Sequence, residues 1–205
     1  DLAMSFDQIG VLSRDIESSS YVLDIIAGRD EKDPTTFDSS GIKIGREKNL
    51  TIGLLKNNSD SAIQELVNSR VREVAEKNGW KVKEIDLKYL DLGIQTYYLI
   101  VYTEFFSGTR KFDGRRFGKK IEDVAGPEVV RRIIGGGEIT RAEYGGRYYK
   151  KALEVKELIR KEFERAFAKV DCIISPTVPK LPHRIGSSIS TKEMYAYDSL
   201  TVPAS

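Results

Sequence analysis

The sequence predicts an α/β fold, and three observations carry that prediction. Two apolar runs of strand length, LTIGLLK at Leu50 to Lys56 and WKVKEIDL at Trp80 to Leu87, enclose a stripe of Ile63, Leu66, Val67, Val71, Val74 and Ala75 at helical spacing. This pattern is a βαβ unit, which predicts two parallel strands joined by a right-handed crossover. A third run, DCIISPT at Asp171 to Thr177, follows one long amphipathic helix predicted from Tyr144 to Val170, rich in Glu/Lys pairs at helical spacing.

Taken in order, Ser13 is the expected N-cap of a first helix, with Asp15 in its first turn. Ile16, Leu23, Ile26 and Ala27 form its apolar stripe, and Gly28 supplies the stop. Arg29 to Gly41 is polar and turn-rich, so it reads as a surface loop. Gly53 weakens the first strand, NNSDS offers several caps to the helix that follows, and Gly79 closes that helix. Leu90 to Phe106 is apolar nearly all round, which predicts a buried helix. Gly108 to Lys120 is a basic loop punctuated by Gly and Phe, with the aromatic rings expected to anchor against the core. Glu128 to Ile134 reads as a short helix, broken by GGGEIT, after which Thr140 caps the long helix. The third strand ends at Pro176, and the Pro- and Ser-rich remainder carries a short helical piece near Lys192 to Tyr197. Three strands make a thin sheet for this many helices.

Composition bounds the function classes. Hydrophobic residues at 40% and charged residues at 31% describe a globular chain that can bury a core. A net charge of +2, well mixed along the chain, argues against binding polyanions by overall charge. The one cysteine, Cys172, cannot form an internal disulfide, and no apolar run approaches the roughly 20 residues that span a bilayer. The expected location is the cytoplasm, with no membrane association.

Motifs for cofactors are missing. There is no P-loop, no GxGxxG after a strand and no CxxC pair, and Gly135 to Gly137 lacks the Lys-Ser/Thr ending of a phosphate loop, so it reads as a turn between helices. His183 lies among turn signals and Cys172 inside an apolar strand, so neither suggests a metal ligand or an activated nucleophile. Ser18, Ser19 and Ser20 fall on the first helix, and Ser39 and Ser40 in a polar loop. None has a Lys or His placed to take its proton, and a serine without a base is a weak nucleophile. The basic stretch RKFDGRRFGKK, Arg110 to Lys120, reads as a solvated loop, with contact to an anion or to RNA phosphate as the alternative.

Read together, several phrases resemble one family. MSFDQIGVLSRDIESSSYVLDIIAGRDEKDPTT resembles the SLDQIGP and AGxDxxDxT stretches of amidase-signature enzymes. FDGRRFG resembles that family's FDGxRYG, DCIISPTVPKLP its DVIxxPTxP, and MYAYDSLTVPAS its MYxxDxxTVPAN. VVRRIIGGGEITRAEYGGRYYKKALEVKELI resembles the VKRRI and YYxKAQKVRTLI stretches, and with FDG it is most similar to the A subunits of tRNA-dependent amidotransferases. The resemblance implies the amidase-signature fold, a mixed β-sheet flanked by helices and incomplete in this chain. Residues 1–205 would be a single partial domain. The family's Ser–Ser–Lys catalytic set lies upstream of DQIG and further strands lie beyond TVPAN, so a fragment inactive on its own is expected, with no catalytic residue assigned within it.

For the whole protein the resemblance implies glutamine hydrolysis that releases ammonia to convert Glu-tRNA(Gln) to Gln-tRNA(Gln). The implied partners are the B and C subunits. No cofactor is expected in the chain itself, and ATP and Mg are expected at the B subunit. Two substrate-binding positions carry over. Phe117 stands at the tyrosine of FDGxRYG, and Lys156 at the arginine of KVRTLI, the resemblance's clamp for the substrate α-carboxylate. Phe has no hydroxyl and Lys cannot make the bidentate fork of Arg, so Arg116 is the neighbouring alternative. Lys156 reads equally as a solvent-facing lysine paired with Glu along a charged helix. Another amidase-signature hydrolase of small amides, or a non-catalytic scaffold that binds partner proteins, stays open as an alternative.

Overall fold

Thr51–Leu55 (β1) runs down the middle of a three-stranded sheet in the order β2-β1-β3, with β2 at Lys81–Ile85 and β3 at Cys172–Ile174. The computed structural model describes residues 2–38 and 49–205. These fall into two units, residues 8–38 and the rest. Both pairings in the sheet are parallel, with Thr51 opposite Lys81 and Ile52 opposite Cys172, as the βαβ pattern predicts. Side chains alternate across a strand, so β1 feeds two cores. Ile52 and Leu54 pack with Val71 and Ala75 of the helix Ser61–Asn78 (α2). Leu55 packs with Ile85, Leu87, Ala166 and Val170 on the opposite face. Gly53 lies on this second face. A Cβ there would sit 2.7 Å from Ile85 Cγ1 and 3.2 Å from Val170 Cγ2, so the glycine admits the neighbouring side chains rather than weakening the strand.

Gly79 ends α2 in the left-handed region at φ 68°, which glycine adopts without a Cβ penalty, and Lys81 then enters β2. The strand expected over Asp171 to Thr177 is shorter. Asp171 turns its carboxylate to Thr51 N at 2.7 Å, and β3 stops at Ile174, two residues before a proline that has no N–H to pair.

A 3-10 turn, Leu90–Leu92, leads into Gly93–Thr109 (α3), the buried helix. Ile100 and Val101 are fully buried. After a short turn of helix, Ile121–Val124 (α4), comes Pro127–Ile139 (α5). The break expected at GGGEIT does not occur, because α5 continues through all three glycines. A Cβ at Gly136 would lie 2.0 Å from Tyr102 O, so these residues let two helix backbones approach closely, and the packing outweighs the poor helix propensity of glycine. Thr140 does not cap the long helix either. It closes α5, and its hydroxyl donates back to Gly136 O at 2.8 Å. The long helix itself is Arg147–Phe167 (α6), entered through Gly145 and Gly146 at positive φ. A final short helix, Thr191–Ala196 (α7), starts in a capping box between Ser190 and Glu193.

In the smaller unit, the helix Ile16–Ile26 (α1) is capped by Asp15, whose carboxylate accepts from Ser18 N at 2.7 Å. Ser13 is not the cap, and its hydroxyl bonds instead to Asp15 O and to Ser19 Oγ. Gly28, at φ 145°, follows the C-cap Ala27 as expected. Ile16, Leu23 and Ile26 are exposed. Arg29 to Asp38 forms turns, whereas Ser39, Ser40 and Gly41 lie outside the described residues.

Candidate functional site

Lys156 sits on the middle of α6 at the edge of a cleft of about 360 Å³. The walls come from three places. Gly93, Thr96 and Tyr97 start α3, Ile159 and Phe163 line the inner stripe of α6, and Val202 to Ser205 close one side. Phe6 completes the mouth, with its ring 5.2 Å from that of Tyr97. The lining is mostly apolar, and it holds two cations, Lys156 and Arg160, of which Arg160 is already paired with Glu157 and Glu164 along the helix.

The lysine is held by geometry rather than by a counter-charge. Its Nζ lies 3.9 Å from the Phe6 ring centroid and donates to Ser5 O at 3.3 Å. Burial pushes its pKa below the ordinary lysine value, while the field of Glu104 pulls it back up. Among the described residues no Glu stands within ion-pair distance of it, so it is not the helix-pairing lysine that the sequence also allows. Its neighbours do pair along the helix: Lys151 with Glu154 at 2.8 Å, Arg160 with Glu157 at 2.8 Å, and Arg165 with Glu162 at 2.6 Å.

Glu104 organises the mouth of the cleft. Its carboxylate accepts from Ser5 N at 3.0 Å, from the Ser5 hydroxyl and from Tyr149 OH at 3.0 Å. That ties the segment carrying Phe6 to α3 and α6 together. Burial raises the Tyr149 pKa, so the phenol remains a donor at neutral pH. Sequence reasoning misses Ser5, Phe6, Glu104 and Tyr149. Glu104 carries a usable signal, because it is a single carboxylate inside an otherwise uncharged helix, YYLIVYTEFF.

Arg116 and Phe117 lie elsewhere, in the loop between α3 and α4, and neither lines the cleft of Lys156. Asp113 turns this loop, accepting from Arg115 N at 2.8 Å and Arg116 N at 3.0 Å. Phe117 is 57% exposed and Phe112 38% exposed, so the rings do not anchor the loop in the core as expected. The loop is fixed instead by Ile121 N donating to Phe112 O at 3.2 Å and by Arg110 pairing with Glu122 at 2.6 Å.

A second polar cluster joins α3, α5 and α7. Tyr98 stacks on Tyr195 at 3.9 Å between centroids, and Tyr195 OH bonds Tyr102 OH at 2.6 Å and Glu128 Oε1 at 3.0 Å. Arg132 Nε closes the cluster onto Glu128 at 3.0 Å. Burial raises the pKa of Tyr97, Tyr98 and Tyr102, which keeps all three neutral and unsuited to accept a proton. The cluster fixes helices rather than performing chemistry.

Among the described residues, no serine hydroxyl bonds a lysine or histidine side chain, and no group of three His, Cys, Asp or Glu is placed to hold a metal ion. Cys172 is half-buried beside Ile52 and Ile174, and burial raises its pKa, as for an inert thiol. Nor is any helix among the described residues long and apolar enough to cross a membrane. The arrangement can therefore present a cation to an anionic group at an apolar cleft, but among the described residues it holds no activated nucleophile.

Comparison with known proteins is consistent along the whole chain. The family described as Amidase matches residues 1–205. The A subunit of glutamyl-tRNA(Gln) amidotransferase from Methanothermobacter thermautotrophicus is 49% identical over 209 residues, covering all of this chain and 46% of that protein. The protein of the same name from Methanocaldococcus jannaschii is 46% identical over 207 residues, covering all of this chain and 48% of its own length. The crystal structure of the glutamyl-tRNA(Gln) amidotransferase A subunit from Thermotoga maritima superposes with a TM-score of 0.76 at 27% identity, covering 99% of this chain and 44% of that one. A crystal structure described as an amidase matches with a TM-score of 0.74 at 19% identity, a likeness of fold. The chain spans about half the length of the curated relatives it matches.

Proposed function

This chain belongs to the amidase family, and from that membership we propose that it is part of the A subunit of a glutamyl-tRNA(Gln) amidotransferase. The observation that carries the reading is the match, along the full 205 residues, to two relatives of that name at 49% and 46% identity. In the complete protein a serine nucleophile, from a Ser–Ser–Lys set outside these residues, attacks the side-chain amide of glutamine. The C–N bond breaks, ammonia leaves, and water resolves the acyl-enzyme to glutamate. The ammonia then amidates Glu-tRNA(Gln) at a B subunit, where ATP and Mg act, with a C subunit completing a cytoplasmic complex.

Within this scheme the chain supplies pocket walls. Lys156 presents one ammonium from an apolar cleft, suited to the α-carboxylate of glutamine as a point charge rather than as a fork. Arg116 and Phe117 belong to a separate loop, so a substrate contact from them would come from another side.

The test is ammonia release by the complete protein with its partner subunits, with glutamine compared against simple aliphatic and aryl amides. Glutamine is expected to give the highest kcat/KM. Lys156→Met is expected to raise KM for glutamine roughly tenfold with little change in kcat, as for loss of a charge-assisted bond made equally in ground and transition states. A higher kcat/KM for an uncharged amide would overturn the reading in favour of a small-amide hydrolase. The lone lysine and the missing phenol at Phe117 make that the second choice.

A further inference from the structure

A lysine ammonium is a point charge on a flexible stem, so where it acts depends on what holds it. The two cations of the cleft, both on α6, are held in opposite ways. Arg160 is neutralised by Glu157 and Glu164 of its own helix. Lys156 has no carboxylate within ion-pair distance among the described residues. Its ammonium meets a ring and a carbonyl oxygen instead, with Nζ 3.9 Å from the Phe6 centroid and a bond to Ser5 O at 3.3 Å. The carboxylate whose field reaches the lysine is that of Glu104. Ser5 is bonded to both groups without letting them pair. Its N–H and hydroxyl donate to Glu104, while its carbonyl accepts from Lys156. Tyr149 OH occupies a further site on the same carboxylate.

The ring over the lysine is itself fixed. Ala3, 1% exposed, anchors the segment, and its carbonyl accepts from Phe6 N at 3.0 Å and Asp7 N at 2.8 Å. The Asp7 carboxylate returns to Leu2 N at 2.7 Å and Ala3 N at 3.1 Å, so residues 2–7 form a closed turn. Tyr97 of α3 packs against the Phe6 ring at 5.2 Å, tilted by 60°. A ring so placed restricts the lysine stem before any ligand arrives, which lowers the ordering cost of binding an anion. It does so without cancelling the charge, as a glutamate in its place would. The two side chains in contact are also two departures from the phrases this chain resembles: Phe6 stands at the leucine of SLDQIGP, as Lys156 stands at the arginine of KVRTLI.

We infer that Phe6 is a positioning residue for the carboxylate site of the amide substrate. Its ring fixes the Lys156 ammonium, still uncancelled, at the mouth of the cleft, and so sets the preference for amides bearing a carboxylate over uncharged ones. The inference rests on the preceding reading of Lys156 and adds to it a side chain that acts through the lysine.

The test is steady-state ammonia release by the complete protein with its partner subunits, with glutamine and butyramide as substrates. Phe6→Leu, which keeps an apolar side chain but removes the ring, should raise KM for glutamine roughly fivefold and change kcat much less. That is a smaller rise than for Lys156→Met, because a positioning group contributes no more than the charge it positions. The ratio of kcat/KM for glutamine to that for butyramide should fall by the same factor. Phe6→Met, a second ring-free variant, should behave as Phe6→Leu does, and Phe6→Tyr, which keeps the ring face, should restore most of the affinity. In a Lys156→Met background, adding Phe6→Leu should raise KM by less than about twofold, since coupled residues are not additive. Effects that multiply instead would overturn the inference, as would a Phe6→Tyr protein as impaired as Phe6→Leu. Ring-free variants with the wild-type KM, beside an impaired Lys156→Met, would defeat the role of Phe6 alone. A Lys156→Met protein with the wild-type KM would defeat the reading of Lys156 and the inference together.

Discussion

Gly136→Ala tests the reason α5 runs through three consecutive glycines. In an exposed helix the change would be favourable by up to about 1 kcal/mol, the difference in helix propensity. Here the new methyl would meet Tyr102 O at 2.0 Å, Tyr102 C at 2.8 Å and Phe106 Cβ at 2.5 Å. Two of those atoms are backbone of α3 and cannot rotate away, so the helices must separate. Overpacking of this kind costs about 3 kcal/mol or more, leaving a net loss of about 2 kcal/mol or more after the propensity gain. In the complete protein, about twice the length of this chain if it matches its relatives, that lowers Tm by about 2 °C or more. The flanking positions act as internal controls. At Gly135 the clash is with the Tyr102 ring at 2.5 Å, a side chain that can shift only by disturbing its hydroxyl bond to Tyr195. At Gly137 the nearest atom is Phe106 Cε2 at 3.2 Å, the far end of a movable ring. The expected order of damage in thermal melts of the complete protein is therefore Gly136→Ala, then Gly135→Ala, then Gly137→Ala near neutral. A Gly136→Ala protein that melts at or above the wild type, or an inverted order, would refute close helix approach as the reason for the glycines.

Three further outcomes follow. Tyr195→Phe removes the hydroxyl that bridges Tyr102 and Glu128, and should lower the Tm of the complete protein by about 1 °C, from about 1 kcal/mol for a partly buried bond; an unchanged melt would mean the cluster holds nothing. The Arg160 hydrogen bonds hold the Glu157 pKa at about 2, against 4.5 in the unfolded chain. Its lowered value means a contribution present above pH 4.5 and lost as pH falls toward 2, so Glu157→Gln should flatten the fall of urea midpoint with pH across that window. Because burial lowers the Lys156 pKa, KM for an amide bearing a carboxylate should begin to rise with pH below the ordinary lysine value of 10.5, and Lys156→Met should remove that rise; a pH-independent KM in the wild type would place the carboxylate elsewhere.

What could be read from the sequence was what local chemistry decides. The βαβ unit, its closing Gly79, the parallel pairing and the buried helix all follow from periodicity and turn residues, and all appear in the fold. Most of the misreadings share one cause, a partner far away in sequence. GGGEIT is a helix breaker by propensity and a helix by virtue of α3 against it. Lys156 looks like any lysine of a charged helix until Ser5 and Phe6, about 150 residues earlier in the chain, are placed over it. Two misreadings are local instead. Ser13 and Asp15 are both good caps by type, and only geometry chooses Asp15. Phe117 looks like an anchor by type and is exposed because Asp113, Glu122 and the loop backbone already fix its loop.

Several of these contacts meet in α3, which links the packing experiment to the cleft. One side of α3 takes the glycines of α5 against Tyr102 and Phe106. Glu104, between those two residues in sequence, holds Ser5 and Tyr149, and so sets the position of Phe6 over Lys156. The first turn of the same helix supplies Gly93, Thr96 and Tyr97 to the cleft, where a Cβ at Gly93 would already lie 3.1 Å from the Pro203 ring. A helix this tightly contacted moves as a rigid body, because close-packed interiors transmit strain rather than absorb it. Displacing α3 by an added methyl at Gly136 should therefore alter the cleft as well as the melt, raising KM for the amide. Glu104→Gln, which leaves α3 in place but weakens the tie to Ser5, should raise KM with a smaller loss of Tm. If both variants lost stability without any change in KM, the cleft of Lys156 would not be the place where the substrate binds.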